Sequence, residues 1–171
     1  NLNDRGFFFR TAPSDARGAE VLAQVTKEKG IRSVAITYTN NDYGKGMANN
    51  YRTALQKYGI KVTTSLAHED GKGNYSEVVR KLSVAGGDAL AVIGYLDQGG
   101  RGIIDQSLKS DVFDKFVLSD GMIGSPLTDK FGKKLNKSFG LLPGSTSIGA
   151  SLFSDFSKKN GIDPTGPYTS E

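Results

Sequence analysis

Two tyrosines and one aspartate stand where a small polar ligand could be held. Tyr43 lies at the predicted start of a helix, Tyr95 directly follows Gly94 at the end of an apolar run, and Asp120 ends another such run. A carboxylate accepts hydrogen bonds from an ammonium group, and aromatic faces attract cations. Together the three predict a site for an ammonium-bearing ligand. Taken singly, each tyrosine also fits a packing role, and the aspartate fits a turn or helix cap.

Catalytic motifs are missing from the sequence. It contains neither the G-x-x-x-x-G-K-[ST] phosphate loop nor the G-x-S-x-G nucleophile elbow, and Gly44-Lys45-Gly46 meets Asn49 where a dinucleotide fingerprint needs a third small residue. With no cysteine and one histidine, the chain cannot form a thiolate or multi-histidine metal site. We expect that histidine, His68, to lie in a solvated loop. The sequence predicts no enzyme, no cofactor and no bound metal.

Composition and charge fit one globular domain. The chain has 171 residues, 37 % of them hydrophobic. Its longest apolar run, Ala89 to Gly94, is far shorter than the ~18 residues of a membrane span, so we predict no membrane insertion. The 22 Lys and Arg against 18 Asp and Glu leave a net charge of +4, which is too small an excess to indicate a nucleic-acid partner.

Four lysines recur at helical spacing between Ser125 and Lys137, and the apolar residues between them form the opposite stripe. Such a basic stripe could contact an acidic partner or lipid head groups. A solvated face of an amphipathic helix is the simpler explanation, and we expect that outcome. The four are Lys130, Lys133, Lys134 and Lys137.

The elements that must position these residues alternate between strand and helix, which is the pattern of βαβ units. The predicted strands are Phe7 to Thr11, Ser33 to Tyr38, Lys61 to Leu66, Ala89 to Gly94, Phe116 to Ser119 and Phe139 to Leu142. The predicted helices are Ser14 to Lys29, Tyr43 to Tyr58, one from Tyr75 that stops at Gly86, one around Ile103 to Leu108, and Ser125 to Lys137.

Strands that read as continuous apolar runs, such as Val34 to Ile36, indicate a sheet covered on both faces. We therefore predict an α/β fold, a three-layer α/β/α sandwich on a doubly wound parallel sheet with the first strand central. In such sheets ligands bind beyond the carboxyl ends of the strands, which is where Tyr43, Tyr95 and Asp120 fall. Asp42, beside Tyr43, is expected to be a plain helix cap.

The order of several short motifs resembles the second lobe of type I periplasmic solute-binding proteins. It is most similar to the group that binds branched-chain amino acids (leucine, isoleucine, valine) for ABC importers. The likeness extends over nearly the whole chain. The motifs are Phe8-Phe9-Arg10-Thr11-Ala12-Pro13-Ser14-Asp15, Val34-Ala35-Ile36, Asn41-Asp42-Tyr43-Gly44-Lys45-Gly46, Gly94-Tyr95 and Ser119-Asp120-Gly121.

The resemblance implies a two-lobed protein that closes on an amino acid or similar small solute without catalysis. It places Tyr43, Tyr95 and Asp120 at the ligand's ammonium group, and it implies a membrane permease as partner and a periplasmic or extracytoplasmic location. A second hypothesis shares the lobe design, namely the effector-binding domain of a transcription regulator or the ligand-binding domain of a cell-surface receptor. Which amino acid, amide or small acid is bound is left open.

The resemblance also divides the chain into two parts. Residues 1–146 are expected to form the ligand-binding lobe. Residues 147–171, with a helix-like stretch from Ala150 to Lys159, are expected to return toward a first lobe that the sequence does not contain.

Overall fold

The computed structural model of the protein describes residues 13–143 and 148–162. Within them lies a five-stranded parallel sheet of order β2-β1-β3-β4-β5. Five of the predicted strands are confirmed, whereas Phe7 to Thr11, with its expected central place, lies outside the described residues. The strands are β1 (Ser33–Thr39), β2 (Lys61–His68), β3 (Ala89–Ile93), β4 (Phe116–Leu118) and β5 (Phe139–Gly140).

Helices alternate with these strands as the periodicity predicts. The sixth helix confirms the helical stretch expected from Ala150, although its proposed course toward another lobe stays a prediction. The helices are α1 (Asp15–Glu28), α2 (Asp42–Lys57), α3 (Ser76–Ala85), α4 (Arg101–Lys109), α5 (Ser125–Phe131) and α6 (Ile148–Lys159).

The helices cover both faces of the sheet. Residues of α1 and α2 pack with β1 and β3 in one buried cluster, and residues of α3, α4 and α5 form a second cluster on the opposite face. Every residue of β3 is fully buried because the strand is covered from both sides. The three-layer α/β/α fold predicted from the sequence is confirmed.

Strand order reverses between β1 and β3. The chain passes from β1 to β2 on one side, and then crosses back to place β3, β4 and β5 on the other side of β1. Connections that diverge in this way leave a crevice beyond the carboxyl ends of the two central strands. The segments after β1, β3 and β4 border that crevice.

Two local predictions are wrong. Asn41, not Asp42, caps α2: its backbone is extended, and its side-chain oxygen accepts a hydrogen bond from the amide of Gly44 at 2.7 Å. The helix predicted from Ser125 to Lys137 ends at Phe131, because Gly132 has a φ of +48° and starts a separate 3₁₀ turn, Gly132–Leu135.

The lysine stripe is therefore divided between two short helical pieces and the residues that follow them. All four lysines are exposed, as expected of a solvated face. Lys137 pairs with Asp114, and Lys130 lies 3.8 Å from Asp105.

Candidate functional site

The three predicted site residues come together at the carboxyl edge of the sheet. Tyr43 is the second residue of α2, which follows β1. Tyr95 lies between β3 and a helical turn, Leu96–Gly100, which we call the 96–100 segment. Asp120 begins a short 3₁₀ turn, Asp120–Met122, directly after β4. Because β1, β3 and β4 are neighbours in the sheet, the segments that follow them meet.

The Tyr43 hydroxyl donates a hydrogen bond to Oδ1 of Asp120. The Asp120 carboxylate is buried, with 7 % of the residue exposed. The rings of Tyr43 and Tyr95 lie with centroids 5.1 Å apart and planes tilted by 41°, and Tyr95 is 39 % exposed. The arrangement is a buried carboxylate bonded to Tyr43, whose ring packs against the more exposed ring of Tyr95.

Among the described residues, two carboxylates act on Tyr43. Burial, followed by the hydrogen bond to Asp120, raises the pKa of Tyr43, and the carboxylates of Asp120 and Asp15 act in the same direction. Tyr43 thus stays a neutral hydroxyl donor across the physiological range. Asp15 and Asp120 also line one small cavity of about 20 Å³ between α1 and the sheet edge.

Sequence reasoning overlooked Asp15 as a member of this site. It stands in the first turn of α1, where an acidic residue is explained by the helix alone. The signal that could have found it is its place just after the predicted strand Phe7 to Thr11, at the same edge of the sheet as the other strand ends.

Small residues connect the strand ends next to the two tyrosine rings. The Ser119 hydroxyl accepts a hydrogen bond from the Gly94 amide at 3.0 Å and donates one to the Gly94 carbonyl at 3.2 Å, which ties β3 to β4. A Cβ on Gly121 would lie 2.4 Å from the Gly94 carbonyl oxygen and 2.8 Å from the Tyr95 ring. Glycine at position 121 therefore allows the tyrosine ring to rest on the turn that carries Asp120.

The expectation that His68 lies in a solvated loop is wrong. His68 ends β2 and is only 1 % exposed. Its Nδ1 lies 2.9 Å from the hydroxyl of Thr37, and its Nε2 lies 3.2 Å from the hydroxyl of Thr39. Burial lowers the pKa of the imidazole to about 4, so the ring is neutral at physiological pH.

The described residues contain no group of three or more histidine, cysteine or acidic side chains placed to hold a metal ion. Within the same ranges, none of the helices combines the length and the apolar character that crossing a membrane requires.

A doubly wound sheet whose strand ends carry a buried acid and two tyrosines defines an α/β ligand-binding domain. The periplasmic binding protein family matches residues 2–159. The chain belongs to this family.

Known proteins agree with that assignment. The chain is 34 % identical over 103 residues to the Leu/Ile/Val-binding protein homolog 3 of Brucella melitensis, a match that covers 58 % of this chain and 28 % of that protein. Its fold is similar to a leucine-binding protein, LivK, of Thermotoga maritima, with a TM-score of 0.79, 18 % identity and coverage of 95 % of this chain and 48 % of the other.

A third similar protein was solved with a bound ligand. The solute-binding protein of an ABC transporter from Rhodopseudomonas palustris HaA2, in complex with p-hydroxybenzoic acid, gives a TM-score of 0.74 at 18 % identity, covering 94 % of this chain and 46 % of that one. At this identity the two structural likenesses establish the fold, that of a lobe of type I periplasmic binding proteins. The chain spans half or less of the length of the three proteins.

Proposed function

We propose that this chain is an amino-acid-binding lobe that holds the ligand's ammonium group between Asp120, Tyr43 and Tyr95. The observation that carries the proposal is the buried Asp120 carboxylate, which accepts a hydrogen bond from Tyr43 at an edge of the sheet lined by two tyrosine rings. A carboxylate can accept several hydrogen bonds, and an ammonium is among the donors that it binds most strongly.

The charge of the site favours a cation over an anion. Asp120 is accompanied by Asp15, whose field reaches Tyr43 and which lines the same small cavity. The exposed face of Tyr95 adds the attraction of an aromatic ring for a cation, which is worth about 0.5–1 kcal/mol at an accessible position. The ligand's carboxylate would then point away from Asp120 and Asp15, toward the half of the site that lies outside this lobe.

For the whole protein we propose the solute-binding component of an ABC importer, with no catalytic step. It acts outside the cytoplasm and delivers an amino acid or similar small solute to a membrane permease. The names of the similar proteins support this role over that of an effector domain of a transcription regulator or a surface receptor. The proposed division is residues 1–146 as the lobe and 147–171 as the segment that leaves it.

Ligands that differ by one charged group test the ammonium assignment. We would titrate the ¹⁵N-labelled 171-residue chain with L-leucine, with 4-methylpentanoate, which is leucine without its amino group, and with 3-methylbutylamine, which lacks the carboxylate. One lobe supplying about −4 kcal/mol gives a Kd near millimolar for leucine. Shifts should centre on Tyr43, Tyr95 and Asp120.

The amine should retain most of the affinity of leucine, and 4-methylpentanoate should bind at least about tenfold more weakly because it presents no partner to the carboxylate. If leucine and 4-methylpentanoate bind equally well, the ammonium assignment is wrong. It is also wrong if 4-hydroxybenzoate binds more tightly than leucine. A micromolar Kd for the isolated chain would contradict the idea that the second half of the site lies elsewhere.

A further inference from the structure

The buried imidazole of His68 contacts the 96–100 segment, which directly follows Tyr95. It stands at the end of β2 between the hydroxyls of Thr37 and Thr39, both on β1. The Thr39 hydroxyl also lies 3.3 Å from the backbone carbonyl of Gln98 in the 96–100 segment. His68, β1 and this segment therefore share one hydrogen-bonded network.

The network determines which ring nitrogen carries the proton. A carbonyl oxygen only accepts, so the Thr39 hydroxyl donates to Gln98 and can accept from Nε2–H of His68. Because burial keeps the ring neutral, Nδ1 is then the unprotonated nitrogen, and it accepts from the hydroxyl of Thr37. Of the two neutral tautomers, only the Nε2–H form lets the Thr39 hydroxyl accept from the ring and still donate to Gln98.

The 96–100 segment is bent where it meets the imidazole. Gln98 and Gly99 leave helical geometry, with φ and ψ of −99° and 49° at Gln98 and a φ of 96° at Gly99. A Cβ on Gly99 would lie 2.8 Å from Cδ2 of His68 and 2.8 Å from the hydroxyl of Tyr75. The Gln98 side chain accepts a further bond from Asn41, the cap of α2. The bend thus packs directly against the imidazole ring of His68.

The bent segment also bonds to the backbone of Tyr95. The amides of Gln98 and Gly100 both donate to the Tyr95 carbonyl, at 3.2 and 3.3 Å. We propose that His68 is a positioning residue whose Nε2–H holds the 96–100 segment in the bent form that presents the Tyr95 ring at the ligand edge. The link to ligand binding rests on the function proposed above, whereas the effect on the segment is independent of any ligand.

Protonation should disturb this arrangement, because it places a cation in a buried pocket. The groups around the ring are the acids Glu69 and Asp70 that follow it in the chain, the edge-on ring of Tyr75 at 6.1 Å, and the neutral partners from β1 and the 96–100 segment. The two acids favour the charged form and burial opposes it more strongly. The segment should therefore loosen in acid.

Two amide variants separate a positioning role from a merely structural one. In His68→Gln the longer side chain brings an N–H donor to the place of Nε2, whereas in His68→Asn the shorter one reaches only the place of Nδ1. Amide hydrogen exchange of the 171-residue chain reads out Gln98 and Gly100 directly. Tyr51→Phe is the matched control, because it removes a buried 2.7 Å hydrogen bond to Thr26 on the other face of the sheet.

We expect protection at Gln98 and Gly100 to fall at least about tenfold in His68→Asn and to stay within about twofold of wild type in His68→Gln and Tyr51→Phe. Thr39→Val, which removes the hydroxyl bond to Gln98, should resemble His68→Asn and serves if that variant does not fold. Equal effects of the Asn and Gln variants, or loss of protection spread evenly over β1, would overturn the proposal, as would an unchanged segment in Thr39→Val.

The pH dependence gives a second readout. With intrinsic exchange rates corrected, wild-type protection at Gly100 should decrease between pH 6 and 4, and this step should be absent in His68→Gln. An identical step in both proteins would mean that other groups cause it. L-leucine titrations complete the test: His68→Asn should weaken binding about threefold to tenfold. If leucine binds none of the proteins while the exchange pattern holds, the proposed function fails and the positioning role stands.

Discussion

Tyr43 and Asp120 are 77 positions apart in the chain, and the hydroxyl of the first donates a hydrogen bond to the carboxylate of the second. The contact joins the start of α2 to the turn after β4 across the end of β3. It orients a buried acid, and the Tyr43 ring that makes the contact packs against the ring of Tyr95. The carboxylate is therefore already aligned, and little ordering is required when a cationic ligand arrives.

Removing the charge of Asp120 without changing the shape of its side chain should weaken leucine binding. Asp120→Asn still accepts a bond from Tyr43 but offers an ammonium no opposite charge, so we expect a loss of about 1.5–3 kcal/mol, or roughly tenfold to a hundredfold in Kd. An NMR titration of the variant with L-leucine measures this loss. Affinity equal to that of wild type would reduce Asp120 to a turn residue.

The two tyrosines should respond differently to loss of the hydroxyl. Tyr43→Phe removes the donor to Asp120 and should raise the leucine Kd about threefold to tenfold, because the carboxylate loses its alignment. Tyr95→Phe keeps the ring and its attraction for a cation, so binding should change less than about twofold. Parallel titrations of the two variants compare them. A larger effect of Tyr95→Phe would mean that its hydroxyl contacts the ligand.

Removing the Tyr95 ring should matter where removing its hydroxyl does not. Tyr95→Leu retains an apolar side chain of similar reach but no aromatic face, so we expect leucine to bind about threefold to fivefold more weakly. The free energy of unfolding should change little because the ring is 39 % exposed. Urea unfolding monitors the fold, and an unchanged Kd in Tyr95→Leu would show that the ring only packs against Tyr43.

Stability should depend on pH through His68. The imidazole pKa is about 4 in the folded chain against 6.5 for an unperturbed histidine, so between these values the unfolded chain binds the additional proton. The free energy of unfolding therefore rises with pH across that window and levels off above about pH 6.5. Near pH 4 it is lower by about 3 kcal/mol than above pH 6.5, as far as His68 contributes. Urea unfolding at pH intervals measures the slope.

His68→Gln provides the control for that slope because its amide does not titrate. The carboxylates whose pKa values are lowered by their partners, such as Asp88 and Asp105, contribute equally to both proteins. The difference between the two curves isolates the histidine. Parallel curves for wild type and His68→Gln would show that the buried imidazole has no part in acid sensitivity.

Gly94 should not tolerate a side chain. Its φ is 138°, and a Cβ there would lie 2.0 Å from the Thr39 hydroxyl oxygen and 2.8 Å from the Thr39 Cβ. Gly94→Ala should cost more than about 2 kcal/mol, since strain adds to a collision in the core. Gly59→Ala is the comparison, because its φ of 70° is strained but nothing lies within 4 Å, so about 1 kcal/mol is expected. Equal losses in urea unfolding would exclude the collision.

The residues at the carboxyl edge of the sheet can be predicted from the sequence. Apolar runs bounded by glycine and helical periodicity locate the strands and helices within a few residues, because both patterns depend on local backbone geometry and on which side chains must be buried. Once the strands are parallel, their carboxyl ends share one edge, so Tyr43, Tyr95 and Asp120 were placed together without any knowledge of contacts. The residue types then indicated a cationic ligand.

Other features depended on contacts between distant segments. His68 precedes Glu69 and Asp70, and such a polar run is typical of a loop, yet β2 extends to His68, where the 96–100 segment and Tyr75 cover it. Asn41 and Asp42 are both suitable caps, and only the extended backbone of Asn41 decides between them. The bond from Tyr43 to Asp120 likewise has no local signal, because which side chains meet at a strand edge depends on strand order and on the bend of each connecting segment.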